Sequence, residues 1–362
     1  MNPFRARALQ VALDPPRAHG MPLVRAQARL SPEDFKVSEL LSFEPSDEGP
    51  HWLLQVEKRS ANTRWVAQAL ARLAGVPPLE VGFAGMKDRH ALTCQWFSVP
   101  AAAHDAVYWR QVCTPEFRVL SVRANRRKLR RGALHGNCFQ IRLHAGDWPV
   151  EGLQERLEQI RSLGVPGYFG PQRFGHGGSN LLNAFEWAER GVRPAGRGPR
   201  EFALSAARAC IFNAVLAERV VAGSWRRAEE GEEFVLEGSN SHFAGDFADP
   251  DLRERIHRFD VHPSGPLWGR GEPASQAEAG RRDRQVARES GALAQLLESQ
   301  GLVQERRALR MAVHDLQAHC AGSWLTLSFR LARGQFATAV LREICELEVP
   351  DGSAFADQDP GE

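Results

Sequence analysis

Asp88 stands in the stretch Val81-Gly82-Phe83-Ala84-Gly85-Met86-Lys87-Asp88-Arg89-His90-Ala91-Leu92-Thr93-Cys94-Gln95-Trp96-Phe97-Ser98-Val99, a glycine-marked turn between two apolar runs. The pattern predicts a strand entering at 80–83 and another leaving at 94–99, with Asp88 displayed on the loop between them. Gly85 removes a side chain where the backbone is expected to turn. Lys87 and Arg89 flank the acid, and two neighbouring cations favour the ionised form of a carboxylate. An ionised carboxylate can act as a nucleophile. The same local pattern is also ordinary turn chemistry, in which Asp follows Gly only to close a bend.

A second constellation is basic. Arg123, Arg126, Arg127, Lys128, Arg130 and Arg131 fall within nine positions, and no acid occurs between Phe117 and Gly146. A charged run is commonly a solvated face, but an uncompensated one repels itself unless a polyanion neutralises it. Phosphate is the natural partner. Asn137 and Phe139 follow at once, and an aromatic beside a basic track suits RNA, whose unstacked bases lie on aromatic faces.

The string Gly85-x-Lys87-Asp88-x-x-Ala91-x-Thr93-x-Gln95 resembles the signature of the TruD family of pseudouridine synthases, which isomerise a uridine in tRNA. Other motifs agree in the same order: Pro32-Glu33-Asp34-Phe35-x-Val37-x-Glu39, Asn62-Thr63-Arg64-Trp65, Gly132-Ala133-Leu134-x-Gly136-Asn137-x-Phe139, Tyr168-Phe169-Gly170-x-Gln172-Arg173-Phe174-Gly175, Leu204-Ser205-Ala206-Ala207-Arg208 and Gly334-x-Phe336-Ala337-Thr338. The resemblance runs from about residue 31 to about residue 345. It implies an isomerase that needs no cofactor and acts on a flipped-out uridine of tRNA, at position 13, with Asp88 as nucleophile or base. It implies that Phe139 stacks on the uracil and that Asn137 positions the loop or a polar edge of the base. Phe35 is implied as a second pocket aromatic, with a plain core Phe as the alternative. Arg29 corresponds to a basic residue able to pair with Asp88, a role Lys87 or another Arg could fill. Glu39 matches a motif position without an assigned task.

The elements that must position these residues alternate in type. A helix is expected at 62–74, capped by Asn62, with Trp65, Val66, Ala69, Leu70 and Leu73 on one face and Gly75 past its end. Strands are expected at 117–124 and 137–144, then a helix carrying Leu153, Leu157, Ile160 and Leu163 that stops at Gly164-Val165-Pro166. Helices follow at 180–190, 202–221 and 283–299, around a polar, Gly- and Pro-rich region at 222–282 with no clear pattern. Leu325, Leu327, Phe329 and Leu331 alternate with polar neighbours as a strand, and a helix is expected from about 335 to 346, followed by a disordered acidic tail. The loop from Gly175 to Asn180 could cradle a phosphate at a helix start, or be an ordinary turn.

This order suggests an α+β chain: a mixed, largely antiparallel sheet flanked by helices, of the kind pseudouridine synthases share, formed by 1–162 and 305–362 and interrupted by a mostly helical α/β insertion at 163–304. The chain of 362 residues is 43% apolar with a net charge of +2, ordinary for a globular protein, so any nucleic-acid contact must be local. Six cysteines form no CxxC pair, which argues against a zinc ribbon or disulfide framework and fits a reducing cytoplasm. His314, His319 and Cys320 lack ligand spacing, so no metal is expected. No apolar stretch follows Arg5, Arg7 and Arg17 and no run reaches transmembrane length, so neither a signal peptide nor a membrane partner is expected. The expected partner is tRNA, bound by a monomer. Two rival classes remain: a glycoside hydrolase, which would need a second carboxylate facing the sugar bond, and a non-catalytic RNA-binding protein.

Overall fold

The computed structural model describes residues 3–348. In chain order these form α1 (Pro3–Leu13), β1 (Arg25–Ala28), β2 (Phe35–Leu41), β3 (His51–Arg59), α2 (Thr63–Ala74), β4 (Gly82–Phe83), β5 (Leu92–Pro100), α3 (Ala106–Arg110), β6 (Phe117–Asn125), β7 (Leu134–His144) and α4 (Val150–Leu163). There follow β8 (Val165–Pro166), α5 (Ser179–Arg190), α6 (Arg197–Val221), β9 (Glu233–Leu236), β10 (His242–Ala244), α7 (Pro250–His257), β11 (Val261–Leu267), α8 (Ala277–Ser290) and α9 (Ala292–Ser299). The chain ends with β12 (Glu305–Ala308), β13 (Arg310–Met311), β14 (His314–Ala321), β15 (Trp324–Ala332), α10 (Ala337–Arg342) and β16 (Glu346–Glu348).

Backbone packing divides the chain into two units. One comprises Leu23–Val150, His314–Gly334 and the chain from Cys345 on. Its sheet has the strand order β14-β15-β7-β2-β5-β3-β6, extended by β1, which pairs with both β7 and β16, and by β4 beside β5. All pairs are antiparallel except β2 with β5 and β1 with β16. The sheet is therefore mixed and largely antiparallel, as expected. Helix α2 packs its buried residues Val66, Ala67 and Leu70 into a core with Leu54, Val56, Phe97 and Trp109. Asn62 caps it by accepting from the Arg64 amide at 2.8 Å, and Gly75 closes it at φ 65. Trp65 and Leu73, placed on the buried face by the sequence pattern, are instead 40% and 37% exposed. Ala67, Ala71 and Ala74 are buried on the helix instead.

The other unit comprises the chain up to Pro22, Glu151–Val313 and Gln335–Ile344. It is mostly helical. The long α6 supplies Ala206, Cys210, Ile211 and Val215 to a core shared with Phe4 and Ala8 of α1, Phe185 of α5 and Leu293 and Leu297 of α9. A four-stranded antiparallel sheet, β10-β9-β11-β12, completes it. The expected seams at 162/163 and 304/305 thus differ from the observed division: α4, β12, β13, α10 and the N-terminal helix all group with the helical unit. One physical reason is visible at Gly164, where the turn expected to end a domain instead feeds β8 into antiparallel pairing with β13.

Other expectations are corrected here. The unpatterned 222–282 region holds three short strands, α7 and the first residues of α8, the strands and α7 being too short for a periodic signal. The helix expected at 283–299 is two helices broken at Gly291, whose ψ of −110 is not helical. The last helix is only Ala337–Arg342, and Glu346–Glu348, expected to begin a loose tail, pairs in parallel with Arg25–Gln27. The remainder of that tail lies outside the described residues. No helix among the described residues is long and apolar enough to cross a membrane.

Candidate active site

The Asp88 loop lies between β4 and β5, which pair through Gly82–Ser98 and Phe83–Phe97. Glu80 ends a short 3-10 turn instead of opening the strand. Gly82 has no room for a side chain, because a Cβ there would collide with the Leu129 carbonyl and the Ser98 hydroxyl. Gly85 serves through its carbonyl, which accepts from the Gln95 side-chain amide.

Ala84, Gly85, Lys87 and Asp88 of the loop are each tied to other elements. The Gly132 amide donates to Ala84 O at 2.7 Å. The Lys87 amide donates to Thr63 Oγ1 at 3.1 Å, and Thr63 Oγ1 in turn donates to Gln95 Oε1 at 3.0 Å. Lys87 Nζ pairs with Glu39 Oε1 at 2.8 Å, both side chains buried, while Glu39 Oε2 accepts from the Trp96 amide at 3.0 Å. Lys58 Nζ donates to the carbonyls of Asp88 at 3.0 Å and Ala61 at 2.7 Å. Such a set of cross-links fixes the loop in one conformation, the condition for presenting a reactive group.

Asp88 itself is 10% exposed, and its Oδ2 lies 2.5 Å from Arg29 Nη2. Oδ1 accepts from the His90 amide at 2.9 Å. The paired cation is thus Arg29, and Lys87, which sequence adjacency made a candidate, turns away to Glu39. Arg29 holds φ 61, a left-handed conformation few non-glycine residues adopt, and such outliers gather at functional sites. Its guanidinium also lies over the Phe35 ring at 4.2 Å.

From Phe35 an aromatic series continues. Phe139 meets Phe35 edge-on at 6.3 Å and stacks on Phe329 at 5.3 Å. Pairing of β7 with β2 sets Phe139 opposite Val37 and Asn137 opposite Glu39, and pairing with β15 sets Phe139 opposite Phe329. Phe139 is only 9% exposed. Asn137 is half-buried, and its Oδ1 is a buried acceptor without a hydrogen-bond partner among the described residues. A Cβ on Gly136 would strike the Leu331 carbonyl, so glycine there permits the close strand pairing that brings these aromatics together.

Sequence reasoning missed Lys58 and Phe329. Both carried a signal, since Lys58 sits in phase with buried Leu54 and Val56, and a lysine on the inner face of a strand needs a reason. Burial pushes its ammonium down to about 7, against the opposing pull of Asp88, while Lys87 adds to the lowering. Phe329 was placed on the buried side of its strand, but its register against Phe139 is not readable locally.

The basic run behaves differently from its sequence. Arg123 donates to both oxygens of Asp47 at 2.8 and 2.6 Å, and Arg126 pairs with Glu48. Lys128 donates to the Leu79 carbonyl, and the Arg131 guanidinium lies 4.0 Å from the Phe83 ring centroid. The run is therefore compensated in part by acids from the β2–β3 connection, contrary to the expectation from sequence. Arg127 and Arg130 remain exposed, with no carboxylate partner among the described residues.

In the helical unit two of the remaining motifs meet through Arg173 and Ser205. The Asn213 side chain bridges the Phe169 amide and carbonyl at 3.0 and 2.9 Å, and Arg173 donates to Ser205 at 3.0 Å. Arg208 donates to the Leu267 and Trp268 carbonyls. The loop before α5 is a series of positive-φ glycines, Gly175, Gly177 and Gly178. Among the described residues no cluster of three or more His, Cys, Asp or Glu could hold a metal.

The family model described as "tRNA pseudouridine synthase D (TruD)" matches residues 19–181 and 200–344. A tRNA pseudouridine synthase D from Methylococcus capsulatus is 46% identical over 340 residues, covering 94% of this chain and 96% of the relative. One of the same name from Nitrosococcus oceani is 45% identical over 337 residues, 92% of this chain and 94% of its own. In fold, the chain is similar to the crystal structure of a TruD protein from Methanosarcina mazei, with a TM-score of 0.73 at 20% identity over 93% of this chain and 97% of the other. With the motif order, the mixed sheet and the matched span in agreement, the chain belongs to the TruD family of tRNA pseudouridine synthases.

Proposed function

We propose that this protein converts uridine 13 of tRNA to pseudouridine, with Asp88 as the catalytic nucleophile or base. The observation that carries the proposal is the isolation of one carboxylate, paired with Arg29 and held by a cross-linked loop beside an aromatic series. Isomerisation breaks the bond from the sugar C1′ to uracil N1, rotates the base and joins C1′ to C5. The hydrogen of C5 is given up and N1 gains one, so atoms balance without an oxidant or a cofactor. Arg29 fixes one carboxylate oxygen and sets which lone pair faces the sugar. Phe139 and Phe35 supply the faces against which the flipped uracil lies, at a cost of a few kcal/mol in unstacking that pocket contacts offset. The unpartnered Asn137 Oδ1 suits the N3–H of uracil. Lys87, held by Glu39, fixes the loop from below.

Arg127 and Arg130, with Arg123, Arg126, Lys128 and Arg131, form the side that meets tRNA phosphates. The protein works in the cytoplasm as a monomer, without metal. Site-resolved pseudouridine mapping of tRNA incubated with and without the protein tests the proposal. A new pseudouridine at position 13 with unchanged RNA mass is expected. Release of free uracil would indicate a glycosidase, and tRNA binding with no modified position would indicate a binding protein; either rejects the reading.

A further inference from the structure

We infer that Lys58 is a positioning residue whose buried ammonium clamps the Asp88 loop to the start of α2, an inference that rests on Asp88 being the catalytic acid. The ammonium spans two carbonyls that belong to different segments, Asp88 at 3.0 Å and Ala61 at 2.7 Å. Ala61 precedes the Asn62 cap of α2, and Thr63 at that helix start accepts from the Lys87 amide. Lys58 is fully buried, so no water competes for its protons. A buried charge is costly unless it is hydrogen-bonded, and here both observed bonds go to the main chain on either side of the reactive loop.

The charges around Lys58 are few. Asp88 and Lys87 of the loop act on it directly, and each has its own partner, Arg29 and Glu39. Its sheet neighbours in register, Thr93 on β5 and Phe117 on β6, are uncharged. Glu57, beside it on β3, pairs with Arg118 of β6. The buried side of α2 contributes Thr63 and apolar residues only. The clamp therefore depends on the protonation of Lys58 itself.

Burial sets that protonation inside the working range, with the ammonium pushed from 10.5 down to about 7. The folded protein then holds fewer protons than the unfolded chain between those two values, so this group makes stability rise as pH rises through that window. Turnover should move the opposite way, because a neutral amine no longer donates to both carbonyls with the strength of an ammonium. A residue with a purely structural role would move rate and stability together.

The test is single-turnover pseudouridine formation on saturating tRNA from pH 6 to 9, with melting temperatures at each pH, for wild type, Lys58→Met, Lys58→Arg and Asp88→Asn. Wild type is expected to lose rate as pH rises through about 7 while its contribution to stability from this group grows. Lys58→Met should bind tRNA normally but react about a hundredfold more slowly with no limb of this kind, the scale of loss that small misplacement of a reacting group produces. Lys58→Arg keeps its charge throughout and should move the limb above the range tested. A folded Lys58→Met enzyme within about threefold of wild type, or a Lys58→Arg profile that keeps the wild-type limb, overturns the inference; the second criterion holds even if Lys58→Met fails to fold. Loss of activity in Asp88→Asn with normal rates at position 58 would sink only the role of Lys58, whereas an active Asp88→Asn would sink the underlying assignment.

Discussion

The loop at 84–91 and the basic run at 123–131 both stand out in the sequence as concentrations of charge, yet the fold treats them in opposite ways. At the loop, the buried ionic side chains find specific partners: Asp88 with Arg29, Lys87 with Glu39, and Lys58 of β3 with the carbonyls of Asp88 and Ala61. Those groups are buried or nearly so, where an unpartnered charge would be expensive. In the basic run the side chains lie largely at the surface, and two of them are neutralised by Asp47 and Glu48 across a short connection. Interior charge is held by geometry and can do position-dependent chemistry. Surface charge is held loosely, exchanges partners at little cost, and suits a polyanion that arrives from solution.

If that difference is real, removing Arg29 should be the more damaging change. Arg29→Met leaves the Asp88 carboxylate buried without its cation, which costs about 3–5 kcal/mol when a buried pair is broken. Single-turnover rate should fall by at least about a hundredfold, together with a clear drop in melting temperature. A variant that keeps both would put the pair on the same footing as a surface salt bridge and erase the contrast.

Phe139→Ala sharpens the comparison within the interior. Phe139 is stacked on Phe329 and nearly covered, so truncation should lower stability by about 3–5 kcal/mol. It should also slow the folded enzyme by about 5- to 150-fold, the equivalent of one lost base stack of 1–3 kcal/mol, while tRNA affinity changes little. Normal turnover in the folded fraction would make Phe139 a core residue alone. Melting curves, affinity and single-turnover rates on the same preparation separate the two outcomes.

The smallest effects belong to the surface. Arg127→Glu with Arg130→Glu should reduce the slope of log affinity against log salt by about two units, one per phosphate contact, with the fold unchanged. Arg123→Glu with Arg126→Glu should do less, because in the free protein these side chains are already engaged by Asp47 and Glu48. Equal slopes for both pairs would show that the acid partners are irrelevant to RNA contact.

How much of this was readable from the chain follows the range of each interaction. The capped α2, the alternating strands β7 and β15 and the glycine-marked loop depend on neighbours a few residues apart, and they were visible at once. The pairing of Asp88 with Arg29 joins positions 59 residues apart through the register of β1, β2 and β7, so local charge pointed only to Lys87 and Arg89, and Arg29 entered through the family resemblance alone. The acids that compensate Arg123 and Arg126 come from a connection 76 and 78 residues earlier and left no trace in the run itself. Lys58 was passed over because a strand lysine reads as an exposed residue unless its phase with Leu54 and Val56 is followed. The division into units escaped for the same reason, since α4 and α10 commit to a neighbour by packing and not by any marker at their ends.

The most direct test of the central claim is Asp88→Asn, which keeps the shape of the side chain and removes its charge. Single-turnover pseudouridine formation should fall by at least about a thousandfold, roughly 4 kcal/mol of barrier, while melting temperature shows a folded protein and tRNA affinity stays near wild type. A folded, tRNA-binding Asp88→Asn variant that retains turnover within about tenfold would contradict the assignment of Asp88 and, with it, the reading of the loop as the active site.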